Sequence, residues 1–105
     1  MSLSKKRLES RVFESLVKST VAMHVAIDKY FQLKYGKGFI DKLLDEPVEA
    51  YNALKDYFNS EEAADFFIYL VLKVLHRLDV NEALEYLKKG DSESFKRLLR
   101  TYLII

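Results

Sequence analysis

Cysteine is absent from the 105 residues, which excludes disulfides, thiolate zinc sites and cysteine nucleophiles. Three glycines and one proline leave little material for the tight turns of a β-sandwich or barrel. No stretch alternates apolar and polar residues for long enough to require a strand. The about 20 consecutive apolar residues of a membrane span are missing too. Met1 is followed by Lys5, Lys6 and Arg7 but not by the apolar segment of a secretory signal, so the cytoplasm is the expected compartment. One glutamine (Gln32) and three asparagines, beside abundant lysine and glutamate, resemble the depletion of heat-labile residues in hyperthermophiles.

Half of the residues are hydrophobic and 31% are charged, the balance of a folded chain rather than a disordered one. The length suits a single domain, residues 1–105. The net charge of +1 hides an uneven distribution, with +4 over residues 1–35, −5 over 36–65 and +2 over 66–105. An acidic middle between basic ends speaks against a uniformly basic nucleic-acid surface.

The pattern reads as all-α, a bundle of five or six helices. Residues 66–75 carry a single charge, Lys73, and a helix apolar all round has to be wrapped by others. A central buried helix over about 60–78 is therefore expected, with Asn59-x-x-Glu62 at the spacing of a capping box. Its residues Phe67, Leu70, Val71 and Val74 are the expected core. Ser4 to Tyr35 reads as a long N-terminal helix, since Leu8, Val12, Leu16, Met23, Ile27, Tyr30 and Phe31 form one stripe. Unbroken it would measure roughly 48 Å, so it either breaks near Ser19-Thr20 or projects towards another chain. Gly36 closes the segment, and a short helix from Phe39 to Leu44 follows. Pro47 opens a helix reaching Phe58. Asp79-x-x-Glu82 starts another, which Gly90 ends. The last helix runs from Glu93 to Leu103, capped by Asp91 or Ser92.

Few residues combine into recognisable chemistry. Thr20, His24 and Asp28 share a helix face, so a hydroxyl–imidazole–carboxylate relay can be drawn, although a surface His–Asp contact is the simpler reading. His76 has no partner at metal-ligand spacing, and Asp41, Asp45, Glu46 and Glu49 lack the alternation of a calcium loop. Lys-Tyr-Gly-Lys-Gly-Phe matches no phosphate loop. No catalytic, cofactor-binding or metal residue is assigned. Lys5, Lys6 and Arg7 at one end, and Lys96, Arg97 and Arg100 at the other, are candidate nucleic-acid contacts. Val12, Leu16, Leu103, Ile104 and Ile105 are candidate interface residues, because three terminal aliphatics are unusual in water.

Lys34-Tyr35-Gly36, Pro47, Ala50-x-x-Ala53-Leu54-x-x-x-Phe58 and the apolar helix after them resemble small archaeal helical domains of the Nitrosopumilus output domain type. The resemblance covers residues 34–75 and implies an archaeal module of signalling or regulation, with no catalytic residues to carry over. The family pattern has glycine after the Phe58 position, where this chain has Asn59.

The resulting expectation is a non-enzymatic interaction or regulatory module without cofactor, self-associating as a homodimer or joined to another protein partner. A nucleic-acid-associated protein and a small-molecule binder or enzyme with a pocket between helices are the alternatives.

Overall fold

Capping residues and two breaks divide the chain into seven helices in the computed structural model, which describes residues 7–104. A two-residue strand β1 (Leu8–Glu9) leads into α1 (Ser10–Thr20) and α2 (His24–Tyr35). Then come α3 (Phe39–Asp45), α4 (Pro47–Phe58), α5 (Glu61–Leu72), α6 (Val80–Lys89), α7 (Ser92–Arg100) and β2 (Leu103–Ile104). The chain is all-α apart from the β1–β2 pair, which is parallel with Leu8 opposite Leu103 and Glu9 opposite Ile104.

The long N-terminal helix is two helices. Ser19 and Thr20 both donate their hydroxyls to the Leu16 carbonyl, at 3.1 and 2.7 Å, and so compete with the helical ladder at its end. Val21 then turns extended (φ −115°, ψ 101°) and buries its side chain. A single helix over the whole segment would outrun the molecule, whose longest dimension is 46 Å.

The capping residues act locally. Gly36 and Gly90 end α2 and α6 in the left-handed conformation, and Asp79 and Asp91 accept amide hydrogens from Glu82 and Ser94. Asn59 departs from its expected role. It closes α4 at φ 54°, where glycine is the usual residue and asparagine its best substitute, and Ser60 caps α5 by accepting from the Ala63 amide. Glycine would suit this backbone equally well.

By its main contacts, α4 rather than residues 60–78 has the most helical neighbours. This helix touches α3, α5, α6 and α7, and its Ala50 and Ala53 let neighbours approach closely. Helix α5 stops at Leu72, after which Leu72, Leu75 and Leu78 are drawn into the core by successive tight turns. It buries Ala64, Phe67, Ile68, Val71 and Leu72 along one face, while Leu70 and Val74 are half-buried. The opposite face carries Phe66, which is 57% exposed, and Tyr69. A continuous apolar run therefore contains a buried stripe and a bare one, which its composition could not separate.

Six rings close into a circuit through four helices: Tyr30, Tyr57, Phe58, Phe67, Phe39, Phe31 and back to Tyr30. Centroid separations run from 4.9 to 6.1 Å, and the planes are tilted or edge-on throughout, the arrangement ring quadrupoles favour.

Two outcomes follow from this packing. Phe67→Ala should cost about 3–5 kcal/mol in urea unfolding, whereas Phe66→Ala should stay within about 0.5 kcal/mol of the parent. Equal costs would show that both faces of α5 are covered. Ser60→Ala should lose about 1 kcal/mol for the missing cap, and Asn59→Gly should lose nothing because glycine suits the same backbone.

Candidate interaction surface on the first two helices

Helix α2 is apolar on two sides. Ile27 and Phe31 enter the core, and His24 is buried beside them. Outward, Val25 and Leu33 are 74% and 80% exposed, the largest values among the big hydrophobics. Between them Asp28, Lys29 and Gln32 complete an open groove of about 450 Å³. On α1, Val12 and Leu16 are exposed as well, and Met23 stands exposed in the turn between the helices. Sequence reasoning missed Val25 and Leu33 because they lie off the main stripe. Their spacing of eight residues, two helical turns, was the available signal.

The other expected interface residues separate. Ile104 is half-exposed at the end of β2, but Leu103 is fully buried and belongs to the core, because the parallel pairing turns alternate residues of β2 to opposite sides. Ile105 lies outside the described residues, as do Lys5 and Lys6.

The drawn relay is not assembled. Thr20 is the last residue of α1 and its hydroxyl is held by Leu16, while His24 begins α2. His24 Nε2 stands 4.0 Å from Asp28 Oδ1, and neither ring nitrogen has a hydrogen-bond partner. That oxygen is engaged elsewhere, accepting from the Phe39 amide at 2.9 Å, while Oδ2 accepts from Gln32 at 2.9 Å. Burial holds the imidazole below its ordinary value of 6.5, with Lys18 in the same direction and Asp28 and Glu14 opposing.

Two further polar groups are built into the fold. Lys42 is buried, with its ammonium 4.0 Å from the centre of the Tyr35 ring and bonded to Glu46 and Glu49. Burial pulls its pKa down, but the two carboxylates outweigh it and hold the lysine above its usual value. The acids expected beside the start of α4 thus serve as a clamp on Lys42, and Asp45 pairs with Lys37 at 2.7 Å. The buried Tyr51 donates to Asp65 at 2.6 Å, and Lys88 contacts the other Asp65 oxygen at 2.9 Å, which links α4, α5 and α6. Burial, then Asp65, pushes the phenol well above its ordinary range. These groups hold one another, and neither set faces the groove. Among the described residues no cluster of three histidines or carboxylates is placed to hold a metal ion.

The basic residues fall into two groups. Arg7 and Arg100 are brought together, Arg7 Nη1 donating to the Arg100 carbonyl at 3.1 Å. Lys96 lies towards Asp45, and Arg97 towards Asp91. His76 is exposed in the turns after α5. No family model, curated protein or solved structure matches this chain.

The buried imidazole gives a pH dependence of definite sign. Its folded pKa lies below the unfolded value, so the unfolded chain binds the extra proton. The stability is fully present above about pH 6.5 and falls as the pH drops from there towards the folded value, by at most about 1.4 kcal/mol per pH unit. Urea midpoints at pH 7.5 and 5 should show this fall, and His24→Leu should flatten it. An equally steep fall in the variant would mean that another group titrates.

Proposed function

We propose that this chain is a non-enzymatic helical interaction module that pairs with a second copy of itself through the outer side of α1 and α2. The observation that carries this reading is the exposure of Val25 and Leu33 on either side of the groove. Burying a Val or Leu side chain contributes about 1.5–3 kcal/mol, and single helices rarely waste aliphatics on both faces. Val12 and Leu16 on α1 and Ile104 at the end of β2 add apolar surface. A twofold dimer places one patch against itself and needs no second kind of surface.

The likeness of residues 34–75 to archaeal output domains supports a regulatory role. The same likeness and the scarcity of heat-labile residues support a thermophilic archaeal, cytoplasmic setting. A catalytic reading has less behind it, since the groove is open and its lining does not include the buried His24.

In sedimentation at high micromolar concentration, the parent should run at twice the monomer mass. Leu33→Asp and Leu16→Asp should each weaken association by roughly tenfold or more, because the contact would then hold an unpaired charge. Helicity should be unchanged, since both side chains lie outside the core. A strictly monomeric parent would sink the dimer.

A further inference from the structure

All six lasting ion pairs among the described residues use a lysine. None uses any of the five arginines. Three of those arginines gather round one residue. Tyr102 donates its hydroxyl to the Arg77 carbonyl at 3.1 Å and accepts the Leu8 amide at 2.9 Å, next to Arg7. Arg7 in turn donates to the carbonyl of Arg100. Arg7, Arg77 and Arg100 are all exposed, and they come from the start, the middle and the end of the chain. Only the fold brings them to one corner.

A bare aromatic strip leads towards that corner. Phe66, Tyr69 and Lys73 follow at intervals of three and four along one face of α5 and into the turn beyond it. The Phe66 and Tyr69 rings are nearly parallel, 19° apart in plane with centroids 6.5 Å apart. The Lys73 ammonium sits 5.4 Å from the Tyr69 ring centre. Arg77 lies four residues further on. Acids close by in sequence or register include Glu62 one turn before Phe66, Asp65 beside it and held by Tyr51 and Lys88, Glu9 beside Ile104, and Asp79, whose carboxylate accepts the Glu82 amide.

We infer that the strip of Phe66, Tyr69 and Lys73, continued by Arg77, Arg100 and Arg7, is a binding track for single-stranded nucleic acid. Guanidinium groups present a planar fork of donors that matches a phosphate, and among the described residues these have no carboxylate partner to displace. Exposed ring faces stack bases of any sequence, while the cations follow the backbone. A duplex would keep its bases from the rings. An anionic membrane would meet the cations, but the site lacks the long amphipathic helix that lies in a lipid surface. The track uses neither Val25 nor Leu33, the two residues that carry the proposed dimer contact.

Fluorescence anisotropy of the full chain with a labelled single-stranded oligouridylate tests this. Binding should weaken with salt, with a logarithmic slope of about −2.8 for four phosphate contacts, and Arg77→Gln should reduce that slope by about 0.7. Phe66→Ala and Tyr69→Ala should each weaken binding by about five- to a hundredfold at fixed salt, with helicity unchanged. Leu33→Asp should bind like the parent, so a failed dimer and a failed track are told apart. The proposal is overturned if the parent shows no binding at low salt. It is equally overturned if the aromatic variants bind as tightly as the parent, which would leave only a diffuse cationic surface. Capture by phosphatidylserine vesicles without oligouridylate binding would assign the corner to a membrane instead.

Discussion

The hydrogen bond from the Phe39 amide to Asp28 is the contact on which the geometry of the first half depends. It fastens the start of α3 to the middle of α2 and so fixes the angle between the two helices. The contact tolerates only glycine at position 38, where an added Cβ would lie 2.4 Å from the same carboxylate oxygen. With α3 held there, Phe39 reaches both Phe31 and Phe67, and the circuit of rings can close. His24, one turn away, is left unpartnered, its Nε2 4.0 Å from the same carboxylate oxygen.

Away from that point the bundle is tied by polar links between helices as well as by its core. Tyr51, Asp65 and Lys88 join three helices, and Lys42 gathers two carboxylates beneath an aromatic ring. Such links satisfy buried polar groups that would otherwise cost more than they return. They account for half of the perturbed ionisations, those of Lys42, Glu49, Tyr51 and Lys88.

Much of this architecture was legible in the sequence, where local chemistry decides. Pro47, Gly36, Asp79 and Gly90 act through their own backbone or the next few amides, and the helices they bound lie where their spacing placed them. Legibility fails where tertiary contacts choose between equivalent local options. Asn59 and Ser60 could each begin α5, and only the left-handed end of α4 decides between them. Residues 66–75 gave no sign of which rings would stay outside, because an apolar run has no polar face to orient it. The arginine corner was out of reach altogether, since its members are neighbours only after the ends have met. Of the surface on α1 and α2, Val12 and Leu16 were readable from the stripe, but Val25 and Leu33 emerged only once the inner face was known.

The pairing of β1 with β2 has a consequence for the order in which the chain folds. Helices α2 to α7 are built from contacts between near neighbours in sequence, which close quickly. Helix α1 touches only α2 and the two strands among its main contacts, so its docking waits on residues 103–104. A chain emerging from its N-terminal end would complete the inner helices first and keep α1 undocked until residues 103–104 had followed. The arginine corner comes into being at that same step, because Arg7 meets Arg100 only when β1 pairs with β2.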